Sequence, residues 1–243
     1  MSAAAAGARA APPTALATRI ADGLVLAALL CATWLKLAFA VLADLPLDDL
    51  LMLAAIGWIV GERASRRDGR VARQAVALGG LALVVLAVYL AGFQAVSSDL
   101  GVSQFSKSLS TWGLHMAFAV VCAAHLAARG PALYARALRW FLAGFLVNAA
   151  YAAVQLVLEY AGTNPDKLWI APLFGGAPTG GATLIGAVTE VSALGQTSST
   201  SVLRATGLTV DPNHLGVMLA MPIAIGAALL LGGRSAAVLR ARP

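Results

Sequence analysis

Residues 75–93 read AVALGGLALVVLAVYLAGF, nineteen residues without a single charge. As a helix rising 1.5 Å per residue this stretch reaches about 28 Å, close to the thickness of a bilayer's hydrocarbon core. It has company. The 243-residue chain is 60% hydrophobic and only 12% charged, with a mean hydropathy of +0.82. That is too little polar surface to cover a folded domain in water, so the composition predicts an integral membrane protein. Five other apolar runs approach membrane length: 20–42, 45–60, 112–128, 140–158 and 215–233. The second is short. Its strictly apolar part, 50–60, would by itself suit an interfacial or re-entrant segment.

Charge placement argues for counting it as a span. Of 17 lysines and arginines, 13 fall in four segments: Arg9 and Arg19; Arg63, Arg66, Arg67, Arg70 and Arg73; Arg129, Arg136 and Arg139; and Arg234, Arg240 and Arg242. The alternate segments carry Asp44, Asp48, Asp49, Asp99, Asp166, Glu190 and Asp211, and only Lys107, Lys167 and Arg204 as bases. Basic loops stay in the cytoplasm, so this alternation predicts six crossings with both termini inside. The formal net charge of +6 then reports topology, and implies no nucleic-acid partner.

The expected fold class is all-α, a polytopic helical bundle. Its organisation reads as a disordered cytoplasmic tail over 1–19, a five-span membrane region over 20–158, a periplasmic loop over 159–211, a sixth span over 212–233 and a cytoplasmic tail over 234–243. The tail lacks a cleavage site, which makes the first span an uncleaved signal anchor. Cys31 and Cys122 both fall in spans as small apolar groups, and form no disulfide framework. No metal-ligand spacing, P-loop or dinucleotide fingerprint is present, so no metal and no cofactor is expected. No internal repeat speaks for an inverted-repeat transporter.

Most connections are short, and the loop of about fifty residues before Thr209 stands out. Its middle, GGAPTGGATLIGAVTEVSALGQTSSTS, is rich in Gly, Ser and Thr. This composition predicts a flexible lid or a linker in place of a packed domain. The loop leads into RATGLTVDPNHLG, residues 204–216, at the entrance to the last apolar run. Asp211 followed by Pro212 reads as a helix cap and first helical position. A helix starting at the outer surface aims unpaired amides and a positive dipole end at anions such as phosphate. Arg204 matches a diphosphate bidentately, and Gly207 lets backbone turn closely between the two. The plainer alternative is an ordinary cap beside an arginine that is solvated or bound to lipid phosphate.

Arg-Ala-Thr-Gly, then Leu-Thr-Val, then Asp-Pro-Asn-His-Leu-Gly entering an apolar helix resembles the signature of the O-antigen ligase and polymerase superfamily. These are multispanning bacterial inner-membrane glycosyltransferases. They take a glycan from an undecaprenyl diphosphate carrier on the periplasmic side, in lipopolysaccharide and related polysaccharide biosynthesis. The resemblance implies that Arg204 engages the diphosphate and that Gly207, Pro212 and Asn213 match the motif's Gly and Pro-Asn positions. It also implies a lipid-linked oligosaccharide as substrate and membrane lipid as surroundings. Family members usually continue for further spans and a second large outer loop with more Arg and His residues of the site, so the resemblance covers roughly the first half and implies either a truncated product or fragment, or a second chain carrying those spans as partner.

Other polar groups fall near the same depth. Asn148, Tyr151, Gln155 and Glu159 lie three to four residues apart, on one helical face that climbs towards the loop. Such a stripe should face the bundle interior or a wet cavity, as interhelical glue or as part of a site. Glu159, at its outer end, is a candidate neighbour of Arg204 or of an acceptor hydroxyl, and His214 a second weak catalytic candidate. Lys36, inside the first apolar run, reads as a second diphosphate contact, a snorkelling lysine or the partner of an outer aspartate. His115 and His125, ten residues apart, fall on different faces and read as packing residues. A non-catalytic membrane assembly subunit and a small-solute transporter remain alternatives to the glycosyltransferase.

The charge alternation makes a direct topological prediction. Single cysteines introduced at Ser65 and Ser198 should label from opposite sides of the membrane with an impermeant maleimide, and labelling from one side would remove the six-span arrangement.

Overall fold

The computed structural model describes residues 15–39, 45–66, 72–94, 98–174, 183–191, 197–209 and 212–231, with the backbone path alone at 15, 183–191, 197–204, 212–214 and 229–231. The chain is mostly helical. In order come α1 (Ala15–Cys31), a two-residue strand β1 (Ala38–Phe39), β2 (Leu45–Pro46), α2 (Leu47–Arg66), α3 (Arg73–Phe93), α4 (Asp99–Arg129) and α5 (Pro131–Tyr160). A π-helical turn (Asp166–Ile170), α6 (Ala171–Phe174), β3 (Thr183–Val191), β4 (Thr197–Ala205) and α7 (Pro212–Leu231) follow. Three helices, α3, α4 and α5, are long and apolar enough to cross a membrane. The other expected spans are less regular. The helix over the first run has only 17 residues, and α2 carries Asp48, Asp49, Glu62, Arg63 and Arg66.

The chain divides into two compact units, Met1–Val25 with Leu51–Tyr134, and Leu26–Leu50 with Ala135–Pro243. In the first, α3 and α4 form a hairpin joined by stacked rings: Phe105 lies 5.0 Å from Tyr89 and 4.6 Å from Phe93. The rest of α3 leaves Leu81, Leu83, Val84 and Val88 exposed, a surface suited to hydrocarbon. Ser98 caps α4 by accepting from the Gly101 amide at 3.1 Å. At the other end Gly130 turns the chain with φ +86°, and Pro131 opens α5. Arg136 and Arg139, expected in a loop, therefore lie in the opening turns of α5.

The second unit departs most from expectation. The first apolar run does not stay helical to residue 42: α1 ends at Cys31, and residues 32–37 turn before β1 pairs antiparallel with β2. Lys36 supplies the reason. A lysine in a continuous apolar helix has no anion, whereas an unwound segment can carry it to one, and irregular backbone at membrane depth is tolerated where protein buries it. Several of the freed groups find new partners. The Trp34 amide donates to Cys31, the Leu37 amide to Trp34 and the Leu47 amide to Leu37, while the Thr33 carbonyl accepts from Asn148 Nδ2 at 3.2 Å.

Within the expected flexible loop, β3 and β4 instead run as an antiparallel hairpin from Thr183↔Ala205 to Val191↔Thr197. The expected all-α class thus gains a β-ribbon. Its strands read TLIGAVTEV and TSSTSVLRA, in which β-branched Thr, Val and Ile outweigh the flexibility signalled by Gly and Ser. A small core of Leu37, Ile170 and Leu208 gathers Trp34, Leu47, Tyr151 and Phe174 around it.

Gly144 of α5 meets the end of α1 backbone to backbone. A Cβ there would sit 2.0 Å from the Leu30 carbonyl oxygen, and the Gly144 carbonyl accepts from Trp34 Nε1 at 3.2 Å. Gly144→Ala should therefore cost about 1–3 kcal/mol through overpacking. Gly113→Ala, with open space around it, should be neutral or slightly stabilising. Thermal unfolding of both variants in detergent checks the contrast.

Candidate functional site

The polar stripe of α5 is where the second unit spends its hydrogen bonds. Asn148 and Gln155 are completely buried, Tyr151 partly so, and the face they share receives the turn Thr206–Thr209 that follows β4. Three successive amides of this turn are taken by two side chains. Gln155 Oε1 accepts from Thr206 N at 3.0 Å and from Gly207 N at 2.9 Å, and Asn148 Oδ1 accepts from Leu208 N at 2.8 Å. The turn also closes on itself, the Thr209 hydroxyl donating to the Thr206 carbonyl at 2.5 Å.

Lys36 grips the same turn twice. Its main-chain amide donates to the Leu208 carbonyl at 2.9 Å, and its ammonium to the Thr206 hydroxyl at 2.5 Å and to Asp166 Oδ2 at 2.6 Å. Asp166 opens the π-helical turn and is 1% exposed. Its carboxylate also accepts from the Tyr151 hydroxyl, and Gln155 Nε2 stands 3.3 Å from Oδ2. A buried carboxylate and a buried ammonium each lose several kcal/mol of hydration, on the order of what their attraction and added hydrogen bonds return. Here the carboxylate also accepts from Tyr151 and faces Gln155 Nε2, and the ammonium also donates to Thr206, neutral partners of the kind that make such a pair tolerable.

The expected site residues separate into three groups. Lys36 and Gly207 come together, Lys36 held by Asp166 and Gly207 at the centre of the turn. Gly207 has φ +61°, and a Cβ on it would lie 2.3 Å from Asn148 Oδ1, so close packing on α5 accounts for this glycine. Glu159 lies one helical turn beyond Gln155, and its Oε1 is buried without a hydrogen-bond partner among the described residues. It is within electrostatic reach of Lys36. Arg204 lies on β4 with its backbone opposite Leu184, and Pro212, Asn213 and His214 form the first turn of α7. The side chains of these four, and all of Asp211, lie outside the described residues.

Asp166 was not singled out from the sequence, where it is one of several outer acids. The one signal for it was Lys36, a buried base that needed an acid from elsewhere in the chain. A second cluster was missed in the same way. In the first unit Asp22 of α1 accepts from Arg129 Nη2 at 2.7 Å and Nε at 3.1 Å, and His125 Nε2 lies 2.8 Å from the same carboxylate. His125 is thus a hydrogen-bonded residue in the interior of that unit. Asp22 could have been flagged as a charge inside the first apolar run, at its third residue.

Comparison with protein-family models, with curated proteins and with solved structures finds no match.

The geometry at Gly207 gives a specific expectation. Gly207→Ala should lose about 1–2 kcal/mol from the left-handed backbone alone, and more from the contact with Asn148. Gly79→Ala, in the open middle of α3, should lose nothing. A comparison of their unfolding temperatures in the same detergent checks this, and equal temperatures would contradict the packing described for the turn.

Proposed function

We propose that this chain is a carrier-lipid-dependent glycosyltransferase of the O-antigen ligase and polymerase type. In this reading it sits in a bacterial inner membrane with six spans, both termini in the cytoplasm and residues 159–211 on the periplasmic side. The observation that carries the reading is the construction of the motif segment itself. Thr206, Gly207 and Leu208 form a buried turn with every amide engaged, so the residues on either side of it, Arg204 and Pro212, leave from a fixed point. A site for a charged headgroup tethered at the membrane surface calls for such rigidity, since preorganised donors need no rearrangement as charge develops on the leaving group.

The reaction moves a glycan. An acceptor hydroxyl attacks the anomeric carbon, the bond from that carbon to the diphosphate oxygen breaks, and undecaprenyl diphosphate departs with the electron pair. Arg204 and the amides at the start of α7 stabilise the departing diphosphate. Gly207 contributes through the fold of the turn, since its own amide is committed to Gln155. Asn213 belongs to the same first turn of α7, and Glu159, with a carboxylate oxygen that no described group satisfies, is the candidate to receive the acceptor's proton. His214 is a further candidate for that role. No metal or cofactor enters this scheme.

A second reading, a non-catalytic membrane assembly subunit, is favoured by the engagement of Lys36 within the chain. Its ammonium is already engaged by Asp166 and Thr206, as a purely structural clasp would require. The stripe that spoke for a solute transporter is occupied by the chain's own turn.

The two readings differ at Arg204. In nanodiscs the protein should bind undecaprenyl diphosphate in preference to undecaprenyl monophosphate. Arg204→Lys should weaken this binding nearly as much as Arg204→Ala, because lysine keeps the charge and loses the planar fork. Equal affinity for the two lipids, or full tolerance of lysine, would favour the assembly subunit.

A further inference from the structure

Gln155 is completely buried, and both ends of its carboxamide are in use. Oε1 holds the amides of Thr206 and Gly207, while Nε2 faces the Asp166 carboxylate and stands 3.3 Å from the Thr206 hydroxyl. Lys36 joins the same two partners through its ammonium and adds a main-chain bond to Leu208. Four stretches far apart in sequence, at 36, 155, 166 and 206–208, are thereby tied into one bonded network. Its ammonium, carboxylate and carboxamide are already engaged within the chain, so its effect on a ligand must be indirect.

That effect runs through the backbone. Arg204 stands two residues before Thr206 on β4, and α7 opens at Pro212, four residues after Leu208. Among the described residues between them, the turn is the part held by side chains of α5 and by Lys36. A diphosphate differs from a monophosphate by a second phosphoryl group a few ångströms away, and a site distinguishes the two only when two sets of donors are held at a set separation. We infer that Gln155, Lys36 and Asp166 are positioning residues of the diphosphate site, which touch no substrate and hold Arg204 and the start of α7 at the separation a diphosphate requires. This rests on the carrier-lipid reading above. The consequence is particular: loosening the clasp lowers the preference for diphosphate over monophosphate, beyond any general loss of lipid binding.

The test uses the full chain in nanodiscs and two readouts, amide hydrogen exchange at Thr206–Leu208 and the ratio of affinities for undecaprenyl diphosphate and undecaprenyl monophosphate. Gln155→Leu should speed exchange at Thr206 and Gly207 about tenfold or more and bring the affinity ratio towards one. Should Gln155→Leu fail to insert as a monodisperse protein, Thr206→Val removes only the hydroxyl that Lys36 holds and should shift both readouts in the same direction. An unchanged ratio in a variant with accelerated exchange overturns the inference, as does unchanged exchange in Gln155→Leu. A parent protein with a ratio of one defeats the carrier-lipid reading itself, and the inference with it, before any variant is made.

Discussion

An ammonium group shut away from water must have an anion, and the pairing of Lys36 with Asp166 is the constraint around which the second unit is arranged. A continuous helix through residues 20–42 would have been the cheaper use of an apolar sequence. The chain instead gives up helical hydrogen bonds after Cys31, and backbone groups near the break take partners from α5, from the motif turn and from the segment itself. The π-helical turn delivers the carboxylate, the stripe on α5 delivers the neutral groups that face it, and the motif turn delivers the Thr206 hydroxyl to Lys36.

The same network alters how the motif segment can work. Three consecutive amides beside a glycine invite comparison with a phosphate-binding loop, yet in this chain all three donate inward to α5. The glycine is required by contact with Asn148, and it leaves nothing for an anion to bind. In the proposed function, recognition of the headgroup therefore falls to the residues that flank the turn.

What was legible in the sequence follows from what one-dimensional patterns encode. The apolar lengths of α3, α4 and α5 could be counted, and the inward face of α5 could be read from the three- and four-residue spacing of Asn148, Tyr151 and Gln155. The break in α1 was not legible, because every residue around Lys36 suits a helix and the cause of the break lies 130 and 170 residues away. The β3–β4 ribbon was misjudged because Ser and Thr were weighed by polarity, whereas Thr183, Thr189, Thr197 and Thr200 are β-branched like the Val and Ile that share these strands. Of the candidate site, Lys36 and Gly207 were found from charge and motif. Asp166 and Asp22 were missed because a partner across the fold leaves no local mark.

The long span of the clasp also has a temporal side. Lys36 is synthesised 170 residues before Thr206, whose hydroxyl it holds. At translation rates of 5–20 residues per second this is a delay of about 10–30 s, during which the lysine has neither final partner for most of the time. The clasp can close only after Asp166 and the motif turn have been made, so any form the segment holds before then is provisional. The shape of residues 32–37 is thus set by residues made much later in the chain.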